Sequence, residues 1–95
     1  MNYRLTQKAD DDLERLIDFS IHCFGLKHTL SYAEGMKQKF TEIVQTPKLW
    51  QSVNSIRQGY RRSVYGKHSI YYRIDKNEIV IVRILGNEEP NKGIS

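Results

Sequence analysis

The sequence predicts an α+β domain of the order β-α-α-β-β-β, with an N-terminal strand and an antiparallel helical hairpin packed on one face of a mainly antiparallel sheet. Three observations carry this expectation. Apolar residues recur at helical spacing through two consecutive segments of the N-terminal half. Gly25 separates those segments with almost no room for a loop, so the two helices must fold back on each other. Past Gly59 the rhythm changes to runs rich in Tyr, Val and Ile, broken by turn residues at hairpin spacing. A chain of 95 residues makes a single domain, residues 1–95, with a modest core.

Tyr3-Arg4-Leu5 alternates apolar and polar, which suits a short first strand. Thr6 is placed to cap the first helix, its hydroxyl accepting an orphan N–H of the first turn. Ala9, Leu13, Leu16, Ile17 and Phe24 then mark the apolar stripe, with Ser20 and Ile21 filling the gap. Asp10, Asp11, Asp12 and Glu14 fall in the early turns, where the helix dipole favours negative charge. The Asp10-Asp11-Asp12 run therefore reads as helix-terminus charge and not as a carboxylate site. Cys23, beside Phe24, is expected to be a small buried hydrophobe. The second helix runs from near Lys27 to Gln45 or Thr46, with Leu30, Ala33, Phe40, Ile43 and Val44 as its stripe and Met36 beside them. Ser31 and Glu34 have capping-box spacing, which would move the start a few residues later. Gly35 weakens this helix by ~1 kcal/mol relative to Ala, and Pro47 closes it.

Residues 47–59 show no period; Leu49 and Trp50 are expected to anchor this loop to the core. Three strands in a meander follow, Tyr60–Tyr65, His68–Asp75 and Glu78–Leu85, separated by Gly66-Lys67 and by Asp75-Lys76-Asn77. Strict alternation puts Ile70, Tyr72 and Ile74 on one face, with Tyr72 in the core. The same rule puts Tyr71 and Arg73 on the opposite face, together with Ile81, Arg83 and Leu85 of the last strand. The hairpin can cover one face only. The other would be apolar, aromatic and cationic together, the composition of a protein–protein interface core. The polar segment from about 86 to 95 is expected to be a loose tail.

The formal charge is +4, unevenly placed. Residues 1–26 carry three Lys/Arg against five Asp/Glu, whereas residues 57–83 carry seven against two. A basic C-terminal half attracts nucleic acid, an acidic protein or the acidic tail of a partner, and charge alone does not choose among them. A single cysteine excludes an internal disulfide and a Cys-based zinc cage within the chain, and the three scattered histidines do not read as a metal site. No cofactor is implied. The longest apolar run, Ile79-Val80-Ile81-Val82, is far short of the ~20 residues that span a bilayer, and no signal peptide is visible, so the expected compartment is the cytoplasm.

With the element order and these local patterns, the chain resembles the RelE/ParE superfamily of small bacterial toxins, and its ParE branch in particular. The resemblance rests on Tyr3-Arg4-Leu5-Thr6 with Ala9 and Asp12-Leu13, and on Ile56-Arg57-Gln58-Gly59-Tyr60-Arg61-Arg62. It continues through Gly66-Lys67-His68-Ser69-Ile70-Tyr71-Tyr72-Arg73 and the closing Ile79-Val80-Ile81-Val82-Arg83-Ile84-Leu85. It implies the toxic component of a type II toxin–antitoxin system, which inhibits DNA gyrase by direct binding. It implies a ParD-like antitoxin that wraps over the toxin in a hetero-oligomer and reaches operator DNA on the toxin's behalf. Where many ParE relatives end in a V-L-H type sequence, this chain has Ile84-Leu85-Gly86-Asn87.

The RelE branch shares the fold but cleaves mRNA on the ribosome, and this is the alternative. Such chemistry needs an activated 2′-hydroxyl, a cationic clamp on the phosphate and an acid for the leaving group. Arg61, Arg62, Arg73 and Arg83 could supply the clamp. The place of the proton-handling residue after the last strand holds Gly86-Asn87-Glu88-Glu89, leaving His68 as the best acid/base candidate, and the strand tyrosines could stack bases. The expectation is therefore a binder and not an enzyme, with no catalytic residue and with Arg61, Arg62, Tyr71, Arg73, Ile81, Arg83 and Leu85 as partner-binding residues. A degenerate toxin kept as a binding module is the third reading.

Overall fold

The computed structural model describes residues 2–86; the expected tail beyond Gly86 lies outside them. The elements are β1 (Asn2–Leu5), α1 (Gln7–Phe24), α2 (Leu26–Gln45), β2 (Gln51–Ser52), β3 (Tyr60–Tyr65), β4 (His68–Asp75) and β5 (Glu78–Gly86). They form one sheet in the order β1-β5-β4-β3-β2. Every pairing is antiparallel except β1 with β5, which is parallel. The parallel pair is joined by a long connection that holds the helical hairpin and strands β2 to β4, as parallel neighbours require a crossover and not a tight turn.

The caps follow from the residues that supply them. Thr6 Oγ1 accepts from the Ala9 N–H at 3.1 Å and donates to the Val82 carbonyl at 3.0 Å, so one hydroxyl starts α1 and ties it to β5. Gly25, at φ 87°, is the single residue between the helices. Its positive φ carries little cost without a Cβ, and its N–H closes α1 on the Ile21 carbonyl. Thr29 Oγ1 donates to Ser20 Oγ at 2.7 Å between the helices, where both residues are buried. Because α2 begins at Leu26, Ser31 and Glu34 lie inside it and no capping box starts the helix.

The main core lies between the hairpin and the sheet. Ala9, Met36, Phe40 and Ile43 meet Ile70, Tyr72, Ile79, Ile81 and Ile84, with Leu13, Leu16, Tyr32 and Trp50 packed around them. Packing on this core extends along α1 as far as Leu16 and along α2 from Tyr32 onward, so the hairpin tip overhangs the sheet. This corrects three expectations. Phe24 and Leu30 are exposed, and so is Cys23. The loop also anchors by one residue and not two: Leu49 is exposed, while Trp50 packs on the core under the Lys39 ammonium, 4.0 Å from its ring centroid. The backbone on either side of it is tied by Arg61, whose Nη1 donates to the Trp50 carbonyl at 2.8 Å and the Lys48 carbonyl at 3.3 Å. The short β2, for which the sequence holds no signal, pairs there with β3.

Strict alternation fails in β5. Tyr72 pairs with Ile81 but Tyr71 pairs with Arg83, so Val82 is an extra residue in a β-bulge. Ile79 and Ile81 consequently face the helices, Val80, Val82 and Leu85 face away, and Arg83 turns toward α1. The expectation that Ile81 and Arg83 lie on the far face with Tyr71 is thus corrected. The bulge changes the phase of the strand midway, and the pattern of apolar residues is the same with or without it.

Tyr72 donates its hydroxyl to the Pro47 carbonyl at 2.6 Å across the base of the core. Burial pushes its pKa up to about 12, against the opposing influence of Arg61. The folded value lies above the unfolded one, so this group's contribution is complete below pH ~10 and is lost as pH rises toward 12. Tyr72→Phe is expected to cost roughly 0.5–1.5 kcal/mol at pH 7. It should also flatten the alkaline loss of stability, measured by urea unfolding at pH 7 and pH 10.5.

Candidate partner-binding surfaces

The far face of the sheet is not bare. Tyr71, Val80, Val82 and Leu85 form a second apolar cluster with Val53, and Ile56 and Tyr60 pack against it. The 53–60 turn, held by the Val53 N–H to Tyr60 carbonyl bond at 2.9 Å, thus folds over part of this face. Tyr71 and Leu85 are buried there, while Arg62 and Arg73 are half-buried at its margin and Val64 is exposed on the same face of β3. Arg62 Nε donates to Ser69 Oγ at 3.0 Å. Arg73 sits opposite Tyr60, and Arg57 lies over the Tyr60 ring at 5.8 Å. Arg62 and Arg73 occupy diagonal positions on neighbouring strands, roughly 7–8 Å apart at the backbone.

Of the seven expected residues, the structure brings Arg62, Tyr71, Arg73 and Leu85 to this face. Arg61 points to the helix side and tethers the loop, and Ile81 is core. Arg83 is engaged by Asp12, so the helix-terminus reading of the Asp10-Asp11-Asp12 run is corrected at that residue. Arg83 Nε reaches Asp12 Oδ2 at 2.7 Å and its second guanidinium nitrogen reaches Oδ1 at 2.9 Å. The Ile84 N–H donates to Oδ2 at 3.0 Å, and Arg15 joins the same carboxylate from the next turn. β1 pairs with β5 only as far as Ile81, so the rest of that strand edge is closed by side chains, Thr6 on Val82 and Asp12 on Ile84.

The feature that sequence reasoning missed is a groove on the other side of the molecule. It runs between the second half of α1, the start of α2 and the β3–β4 turn, encloses about 650 Å³, and is lined by Leu16, Phe19, Phe24, His28, Tyr32, Lys67 and His68 among others. Its floor is held by a short network. Tyr32 Oη donates to the Tyr65 carbonyl at 3.0 Å, which leaves it to accept from His68 Nδ1 at 2.7 Å. Burial lowers the His68 pKa and raises that of Tyr32. The signal for this groove was Phe24 itself: an apolar residue that continues a helical stripe past the last core contact.

The same geometry bears on catalysis. His68 pairs with Tyr65 on the helix side of the sheet, whereas Arg62 and Arg73 lie on the far side. The acid/base candidate and these two cations therefore lie on opposite faces of the sheet.

The profile of the family described as the ParE toxin of the type II toxin–antitoxin system, parDE, matches residues 3–90. The chain belongs to this ParE toxin family. It is 30% identical to Toxin ParE1 of Caulobacter vibrioides over 83 residues, covering 87% of this chain and 85% of that protein. Toxin ParE1 of Mycobacterium tuberculosis is 26% identical over 84 residues, with 87% and 86% covered. Among solved structures, the chromosomal ParDE TA system from P. aeruginosa superposes with a TM-score of 0.78 at 23% identity, over 93% of this chain and 97% of that one. That ParE-like fold is the one the element order predicted. Among the described residues no helix is long and apolar enough to cross a membrane.

Proposed function

We propose that this ParE-family chain is the toxin of a toxin–antitoxin pair. It inhibits DNA gyrase in the cytoplasm by direct, non-enzymatic binding and is neutralised by a ParD-like antitoxin in a hetero-oligomer. Operator DNA is contacted through the antitoxin. The family match over residues 3–90 carries this reading. The Arg62–Arg73 margin beside Tyr60 supports a cationic face for the target, and the ParDE neighbour supports the antitoxin. In such a pairing apolar burial sets the affinity while charge sets rate and specificity.

The test is gyrase supercoiling with purified protein. Inhibition at micromolar concentration is expected, and Arg62→Glu/Arg73→Glu should weaken it about tenfold or more while thermal unfolding stays within ~0.5 kcal/mol of wild type. No inhibition by a folded wild-type protein removes the reading. New mRNA ends inside coding sequence after induction, without DNA breaks, would instead support the ribonuclease alternative.

A further inference from the structure

The helical hairpin has an outer side, turned away from the sheet, that the main core does not use. Ile17 and Ile21 on α1, and Leu26 and Leu30 on α2, form one apolar pair at four-residue spacing on each helix. None of the four belongs to the core cluster and none lines the groove. Ile21 is 40%, Leu26 58% and Leu30 61% exposed, and Ile17 is half-buried. The charges beside this seam are sorted by helix. Asp10, Glu14 and Asp18 repeat every four residues along α1 and flank Ile17 and Ile21. On α2, Lys27 follows Leu26, and Lys37 lies two turns beyond Leu30, with Glu34 the single carboxylate between the two lysines. Asp10, Glu14, Asp18, Lys27 and Lys37 are exposed and form no ion pair among the described residues. Like charges at four-residue spacing repel one another, so the acidic row is a cost that no ion pair of the chain offsets.

We propose that a second copy of this chain packs on this seam, hairpin against hairpin, about a two-fold axis parallel to the helices. Under that axis α1 of one copy lies on α2 of the other and antiparallel to it, which makes an up-down four-helix bundle with neighbouring axes about 8–10 Å apart. Ile17 and Ile21 then meet Leu26 and Leu30 of the partner copy. Glu14 lies eleven residues before Gly25 and Lys37 twelve after it, so the axis brings them to one level on facing helices. The charge pattern selects a second copy over an unrelated helix. A basic helix would answer only the acidic row and an acidic helix only the lysines, whereas a two-fold contact presents each flank to its opposite, and does so twice. Four apolar side chains per copy make a small contact, so the pairing is weak and concentration-dependent. It leaves the groove and the far face of the sheet open, and it turns the two arginine-bearing faces in opposite directions. It does not depend on the toxin–antitoxin reading.

The experiment is sedimentation equilibrium of the full chain from about 5 to 300 μM in ~50 mM salt. A monomer–dimer equilibrium with a dissociation constant of about 10–100 μM is expected, weakening about threefold or more at ~500 mM salt. Leu30→Asp, at an exposed position, should keep the wild-type thermal unfolding curve and associate about 30-fold more weakly or worse. Glu14→Lys and Lys37→Glu should each weaken association about fivefold, and the two together should return it to within about twofold of wild type. Phe24→Asp in the groove and Arg62→Glu on the far face should leave it unchanged. A wild-type chain that stays monomeric at the highest concentration overturns the proposal. A dimer that Phe24→Asp dissociates and Leu30→Asp does not would place the contact in the groove and overturn it too. A charge-reversed pair that recovers none of the loss would rule out the placement of α1 on the partner's α2.

Discussion

Asp12→Ala is expected to be the most damaging single change in the described structure, lowering stability by about 3–5 kcal/mol and the melting temperature by more than ~10 °C. The Asp12 side chain is 1% exposed and is held by Arg83, Arg15 and the Ile84 N–H. Burying a carboxylate is costly unless its lone pairs are filled by well-aligned donors, and here a two-point guanidinium contact and a main-chain amide fill them. Truncation removes the Asp12 carboxylate from the Arg83 guanidinium, itself 17% exposed, and takes the acceptor from the Ile84 amide. The ion pair need not exceed an apolar pair of equal volume in stability; what is costly is breaking one half of it. Asp12→Ala/Arg83→Leu should therefore be more stable than Asp12→Ala alone. Asp12→Asn, which keeps an acceptor for Ile84, should fall between wild type and Asp12→Ala. Thermal unfolding followed by circular dichroism checks the series. A loss below ~1 kcal/mol in Asp12→Ala would mean that the contact is peripheral.

That contact also marks where reading the sequence reached its limit. Elements set by local chemistry were legible: the Thr6 cap, the Gly25 break, the Pro47 stop and the three strands with their two turns match the structure to within a residue or so. The face assignment of β5 was not, because the Val82 bulge shifts the strand's register against β4 and leaves no trace in an unbroken run of Ile and Val. With the phase wrong, Arg83 reads as a partner-binding cation ahead of its alternative, an ion pair within the chain, and its partner 71 positions earlier reads as one acid among three. The far face followed the same error: alternation places Tyr71 and Leu85 there correctly but adds Ile81 and leaves out Val80 and Val82, and the 53–60 turn that packs on them comes from a segment without period. The groove was hidden for a different reason. A helical stripe does not say where the sheet beneath it ends, so Phe19 was not singled out and Phe24 was counted as core.

Gly35→Ala tests a reversal of sign. Helix propensity alone gives alanine a gain of ~1 kcal/mol at this interior position of α2. The structure predicts a loss of about 1–3 kcal/mol instead. A Cβ on Gly35 would stand 1.9 Å from Tyr65 Oη and 2.7 Å from Cζ, so the tyrosine would have to move. It is not free to do so cheaply. Its ring packs on Tyr32 with centroids 4.8 Å apart, its carbonyl holds the Tyr32 hydroxyl, and that hydroxyl holds His68. The next residue, Gly66, turns at φ 57° directly under the Tyr32 hydroxyl, leaving no slack on that side. The diagnostic comparison is a double-mutant cycle. In a Tyr65→Ala background the obstruction is gone, and Gly35→Ala should recover the helix-propensity gain and stabilise the protein. A gain in both backgrounds would show that α2 and β3 are further apart than described, and the pre-set floor of the groove, which depends on that close approach, would go with it.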